Sequence, residues 1–256
     1  MPDALFAVPR LAAIYDALEP ERADLDAYAA MVDEFGARRV LDVGCGTGVF
    51  ALMLAERGID VVGVDPALAS LEIARGKAGS ERVEWVHGDA GSLPQARGEL
   101  AVMTGNVAQV FVEDDDWIAS LKAVRRALVP GGRFVFEARD PARQAWLDWN
   151  REQTYSRTDL PGIGVVEHWT DLLAVDLPLV KFKRTYAFAA DGATLTSEST
   201  LRFRPRAEIE QSLARAGFAV DEVRDAPDRP GLEFVFGARR MEGPGCRAGD
   251  GGSPAP

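Results

Sequence analysis

The sequence predicts an α/β fold: a mostly parallel seven-stranded sheet with helices on both faces, plus a small antiparallel β insert. Three observations predict it. An apolar run, Val40-Leu41-Asp42-Val43, enters three glycines at alternate positions, Gly44, Gly46 and Gly48, and a periodic apolar segment (Phe50, Leu52, Met53, Leu54) follows at once. A second apolar run, Val61-Val62-Gly63-Val64, ends in a carboxylate, Asp65. Strand and helix patterns then alternate as far as Arg139, the order that builds a parallel sheet.

Composition sets the bounds. A chain of 256 residues, 47% hydrophobic, suffices for one substantial core with a small appended unit. A net charge of −11 counts against a broad nucleic-acid footprint, because phosphate binding needs clustered cations. Two cysteines, Cys45 in the glycine turn and Cys246 near the end, give neither a disulfide framework nor metal-ligand spacing, which suits a reducing compartment. No signal-peptide pattern and no apolar run long enough for a bilayer is present, so the expectation is a soluble, cytoplasmic protein with no membrane partner.

In chain order, Leu11, Ile14, Tyr15 and Leu18 fit one face of a short leading helix. Leu25, Tyr28, Ala29, Val32 and Phe35 form a second stripe that Gly36 stops. The strands fall at 40–43, 61–65, 82–87, 100–103, 133–138, 218–223 and 232–238, with helices after the glycine turn, at 66–74, behind Glu113-Asp114-Asp115-Asp116, and at 206–216. That acidic run is read as the start of a helix, where carboxylates cap and complement the dipole, rather than as a metal site. The insert, within 163–204, reads as three strands, 165–173, 179–188 and 194–204, joined by Asp176-Leu177-Pro178 and the hairpin signal Asp191-Gly192. Residues 241–256 are rich in Gly and Pro without periodicity and are expected to be disordered.

The glycine turn is the expected ligand site. Glycines admit close approach, and the helix start offers free N–H groups. An acid at the place of Asp65 can accept both hydroxyls of a ribose. The spacing G-x-G-x-G, with Asp42 just before it, departs from the dinucleotide pattern G-x-G-x-x-G. It resembles instead the first motif of the class I S-adenosylmethionine (SAM)-dependent methyltransferases, whose fold is Rossmann-like, and the resemblance runs from about Tyr15 to Arg240.

The resemblance implies SAM as cofactor and S-adenosylhomocysteine (SAH) as product. It places Asp42, Gly44, Cys45, Gly46 and Gly48 along the methionine part, Asp65 and Pro66 at the ribose, and Asp89 and Ala90 at the adenine. Thr104, Gly105 and Asn106, at the end of the fourth strand, are placed where the methionine ammonium and the acceptor meet. Tyr15 would touch the cofactor from a leading helix, or simply pack on the domain. Asn106 and Gln109 would orient an acceptor, with Phe111, Trp146, Trp149 and Tyr155 as further acceptor contacts. Trp146 and Trp149, three apart, would wall a pocket or form a packing seam.

His168 in the insert is the candidate base, since histidine titrates near neutrality, and Glu167 and Arg184 are lesser pocket candidates. Other roles stay open: Asp89 as a turn cap, the 104–109 segment as a self-satisfied loop, His168 as an ordinary strand residue. The family's metal-dependent members place an acid at the end of the fourth strand, where this chain has Thr104-Gly105-Asn106, so no metal is expected.

The expected activity is methyl transfer (EC 2.1.1.-) to an oxygen or nitrogen of a small molecule, in the manner of secondary metabolism, by a monomer or homodimer of one domain (residues 1–240). In such a domain the insert covers the acceptor or builds a dimer interface. Three alternatives share parts of this pattern. A nucleic-acid methyltransferase is disfavoured by acidity and by the lack of Asn-Pro-Pro-aromatic after the fourth strand. A NAD(P)-dependent oxidoreductase is disfavoured by the glycine spacing. A non-catalytic SAM-binding module would keep the cofactor motifs and lack turnover.

Overall fold

The computed structural model describes residues 1–20 and 22–242. Eight α-helices are described: α1 (Ala4–Ala7), α2 (Pro9–Leu18), α3 (Asp24–Glu34), α4 (Val49–Glu56), α5 (Leu68–Gly76), α6 (Asp114–Ala127), α7 (Arg151–Thr154) and α8 (Arg206–Ala216). The strands are β1 (Arg39–Val43), β2 (Asp60–Asp65), β3 (Val83–His87), β4 (Gly98–Met103), β5 (Leu128–Arg139), β6 (Ser156–Leu160), β7 (Gly164–Asp176), β8 (Leu179–Phe188), β9 (Thr194–Arg202), β10 (Phe218–Asp225) and β11 (Glu233–Arg240). The part of the expected tail beyond residue 242, with Cys246, lies outside the described residues.

Seven strands form one sheet in the order β3-β2-β1-β4-β5-β11-β10. The neighbours from β3 to β5 pair parallel, and β11 runs antiparallel to both β5 and β10. Alternation along the strands divides the core. Leu41, Val43, Val62, Val64, Ala101 and Met103 pack under α6 and α8, whereas Val40, Val61, Leu100 and Val102 pack under α3 and α4. Burial on both faces is why these strands read as continuous apolar runs. The order reverses between β1 and β4, and in open α/β sheets such a switch point, beyond the carboxyl ends of the strands, is where ligands bind.

The antiparallel insert has four strands, β6-β7-β8-β9, not the expected three. The added strand, Ser156-Arg157-Thr158-Asp159-Leu160, has a single apolar residue and pairs only with β7, so its edge position left no apolar alternation to read. The expected leading helix is α2, with Pro9 in its first turn, where its missing N–H is no loss, and a short α1 precedes it. Both helices pack through Leu5, Leu11 and Ile14 against Leu160, Val166, Tyr186 and Phe188 of the insert.

The expected helical face of Trp146 and Trp149 is a 3-10 turn over Ala145–Asp148. The chain restarts there because the Asn150 side chain accepts from the Gln153 N–H (3.1 Å), capping α7. At α6, Glu113 makes no side-chain cap. Asp114 instead pairs with Arg202 at 3.0 Å and Arg204 at 3.2 Å, tying α6 to the end of β9.

Candidate active site

The glycine turn is shaped by close approach on two sides and open space on the third. Gly44, Gly46 and Gly48 all have positive φ (77°, 54° and 79°). A Cβ on Gly44 would fall 2.6 Å from Val107, and one on Gly48 would fall 2.5 Å from Trp85 and 2.9 Å from Ala74. At Gly46 a Cβ would meet nothing within 4 Å. Gly44 and Gly48 are therefore fixed by packing, while Gly46 presents bare backbone to open space, a cradle that a side chain would fill.

Two carboxylates stand on either side of this turn. Asp65, at the end of β2, accepts from Gly46 N (2.8 Å) with one oxygen and from Ala67 N (2.7 Å) with the other. Each oxygen keeps a second lone pair for a ligand hydroxyl. Burial, opposed by those backbone donors, raises its pKa. Asp42, on β1 and facing α3 and α4, is 1% exposed, and neither of its oxygens has a hydrogen-bond partner among the described residues. Burial, and then the charge of Asp65, push its pKa up to about 7. An orphaned buried carboxylate is costly, and a cationic ligand group is what would satisfy it.

A strap crosses the turn from the chain start. Thr47 Oγ1 donates to Asp16 Oδ1 (2.5 Å), and Lys77 Nζ bridges Asp16 Oδ2 (2.5 Å) and the Thr47 carbonyl (2.7 Å). These contacts hold α2 over the glycines and set the half-buried Tyr15 between the turn and the insert, edge-on to Phe6 (centroids 5.5 Å apart). Burial raises its phenol pKa, so Tyr15 stays a donor at neutral pH.

The segment after β4 is held from beneath. Asn106 has φ +62° and is buried. Its backbone N–H donates to Glu137 Oε1 (2.7 Å), and its side-chain amide donates to Glu137 (3.3 Å) and Glu233 (3.3 Å). Tyr28 of α3 donates its hydroxyl to Glu137. Arg229 and Arg139 pair with Glu233 at 2.6 Å and 3.4 Å, and Arg139 also donates to Gln109 Oε1 (3.1 Å). Burial raises the Glu137 pKa and lowers that of Arg139 to about 10. The donor capacity of the Asn106 side chain is thus turned inward, which corrects its expected role toward an acceptor; only its Oδ1 and Gln109 Nε2 remain buried without partners. Gly105 is exposed, with open space where a Cβ would be, and Thr104 is half-buried beside it.

On the nucleoside side, Pro66 is exposed and its carbonyl meets His87 Nε2 at 3.2 Å. Asp89 is exposed and accepts from Gly91 N (2.8 Å), so it does cap a turn, with its other oxygen free of that bond; Ala90 is buried beneath. Cys45 is buried, and burial raises its thiol pKa.

The expected acceptor residues divide. His168 lies on the inner face of the insert, stacked on Tyr186 (5.9 Å), half-buried, its pKa lowered by burial and thus neutral at pH 7. Arg184 shares that face. Tyr155 and Glu167 lie on the opposite face: strand alternation puts 167 opposite 168, and Tyr155 sits exposed beside Glu167. Trp146 is buried against Phe203 (4.7 Å) and Trp149 meets Phe182 edge-on (4.7 Å), so the pair is a packing seam. Phe111 packs on Trp117 of the main core (5.6 Å).

Sequence reading missed Asp16, Thr47 and Lys77, which no local motif joins, and the Tyr28–Glu137–Glu233 network. The two glutamates did carry a signal: each is a charge inside an otherwise apolar strand run.

Residues 40–132 match the family described as "Methyltransferase domain". The cypemycin N-terminal methyltransferase of Streptomyces sp is 36% identical over 121 residues, 47% of this chain and 49% of that protein. The chain spans about half the length of the curated relatives it matches, or less. A solved S-adenosylmethionine-dependent methyltransferase from Clostridium acetobutylicum superposes with TM-score 0.74 at 19% identity, covering 91% of this chain and 98% of that one. The sugar N-methyltransferase KedS8 from Streptoalloteichus sp gives TM-score 0.73 at 22% identity, covering 89% and 93%. Among the described residues no helix is long and apolar enough to cross a membrane. Glycine turn, flanking acids and strand order agree with these matches: residues 40–132 match a methyltransferase-domain family, and the chain has the Rossmann-like fold of solved SAM-dependent methyltransferases.

Proposed function

We propose that the protein transfers a methyl group from SAM to an oxygen or nitrogen of a small-molecule acceptor, in the cytoplasm. One observation carries the cofactor part: an open Gly46 cradle lies between a buried, unpartnered Asp42 and an Asp65 with free lone pairs. Asp42 meets the ligand ammonium, Asp65 the ribose hydroxyls, and Asp89 and Ala90 the adenine. Bound SAM supplies an electrophilic methyl on a sulfonium. The protein's own work is alignment and exclusion of water: the Asp16 strap closes one side, and the Glu137 network fixes the 104–109 segment on the other. His168, neutral at pH 7, takes the acceptor's proton.

Proteins named for cypemycin N-terminal methylation and for sugar N-methylation support a small or exposed acceptor rather than a base in duplex DNA, as does the net charge of −11. Incubation with methyl-labelled SAM and a panel of amines, hydroxy acids and phenols tests the reading. Acceptor-dependent label transfer that His168→Ala cuts by at least about tenfold supports it. SAM binding with only automethylation would instead favour the non-catalytic module.

A further inference from the structure

Arg184 is the one lysine or arginine among the residues that alternation turns to the inner face of β8, in line with Phe182, Tyr186 and Phe188. It is half-buried, and among the described residues no carboxylate lies within ion-pair distance of it. The other buried or half-buried arginines near the site behave differently: Arg139 holds Glu233, Arg22 holds Asp24, and Arg204 holds Asp114. Asp3, whose titration Arg184 influences, spends a carboxylate oxygen on Ser199, and Glu19 acts on the same Tyr15, His168 and Tyr186 without forming an ion pair with Arg184. A half-buried guanidinium with no ion-pair partner among the described residues is available to an anionic ligand group.

Its surroundings place this charge beside Tyr15 and His168. Arg184 is close enough to Tyr15 of α2, to Tyr186, to His168 and to Arg139 at the end of β5 to influence the titration of each. Its Cζ stands 5.8 Å from the Phe182 ring. Across β7 and β8, Arg184 pairs with Thr170 and Tyr186 with His168, so Arg184 and His168 are diagonal neighbours on one face. Such neighbours lie about 7–8 Å apart, a span that a small molecule covers. The Tyr15 and Tyr186 phenols, kept protonated by burial, are donors beside the guanidinium.

We propose that Arg184 binds a carboxylate of the acceptor, which makes the methylated molecule a small carboxylic acid whose amine or hydroxyl reaches His168. The inference rests on the methyl-transfer reading above. A carboxylate is the match because guanidinium and carboxylate pair bidentately, and the nearby Arg139 already holds Glu233.

The probes are benzoate and its neutral isostere benzamide, titrated by ligand-observed NMR into protein saturated with SAH, whose own binding is measured first. The expected result is SAH binding, benzoate at least about tenfold tighter than benzamide, and loss of that preference in Arg184→Met with retention in Arg184→Lys. Should Arg184→Met melt early or fail to bind SAH, Arg184→Gln takes its place, and the wild-type preference alone still decides. SAH binding with equal affinity for the two probes, or a preference that survives Arg184→Gln, overturns the carboxylate assignment and leaves the methyl-transfer reading standing. Failure of SAH to bind overturns both.

Discussion

Asp42 gives the most quantitative prediction. Its carboxyl is buried, unpartnered and pushed up to about 7, against an ordinary 3.8. Between those values the folded protein without ligand holds a proton that the unfolded chain does not. Stability from this group is therefore present at the acid side of the window and is lost as pH rises through 7. Ligand binding has the opposite sign, because an ammonium pairs with the ionised form. With an apparent pKa of 7 the ionised fraction falls from about nine-tenths at pH 8 to about one-tenth at pH 6, so the Kd for SAH rises about tenfold. At pH 6 nearly one proton is released per ligand bound. Calorimetry in two buffers of different ionisation enthalpy counts that proton directly. Asp42→Asn should bind SAH weakly with a flat pH profile, and should be the more stable protein at pH 8 without ligand. A Kd constant within twofold from pH 6 to 8, without proton release, would refute the assignment of the ammonium to Asp42.

Gly48→Ala should destabilise by about 1–3 kcal/mol in denaturant melts, since its Cβ would sit 2.5 Å from Trp85 at φ +79°; a change below about 0.5 kcal/mol would contradict the packing reading. Gly46→Ala, with nothing within 4 Å, should cost less stability yet weaken SAH binding at least about tenfold, and preserved affinity would show that no ligand passes there. Tyr28→Phe leaves Glu137 without its hydroxyl donor and should cost about 1–3 kcal/mol, checked by thermal melts alongside SAH affinity. Asp16→Ala cuts the strap from Thr47 and Lys77 and should speed amide exchange across 9–18 with little change in global stability, because these groups are partly exposed. Unchanged exchange there would mean that packing on the insert alone holds α2.

What could be read from the chain followed from how local each signal is. The glycine turn, the apolar strands and Asp65 are contiguous, so the sheet and the nucleoside side were legible in the residues themselves. β6 was hidden because an edge strand needs no apolar face, and α1 because a single turn is too short to show a periodicity. The networks were illegible for another reason. Asp16 meets Thr47 and Lys77, and Tyr28 meets Glu137, across sequence separations that no periodicity encodes. The tryptophan pair left two readings open, pocket wall or packing seam, and Phe182 and Phe203, from distant strand ends that spacing does not reveal, supplied the packing partners.

The assignment as a whole turns on the cofactor, and a calorimetric titration with SAH, beside NADH and NADPH, with melting temperatures in parallel, tests it directly. At about 100 times Kd, SAH should add about 2.7 kcal/mol of stability, or roughly 5–10 °C in Tm for a chain of this size, and Asp65→Ala should reduce both. The nicotinamides should leave the melting temperature where it is. Binding of a nicotinamide and not of SAH would contradict the methyltransferase reading of the glycine turn.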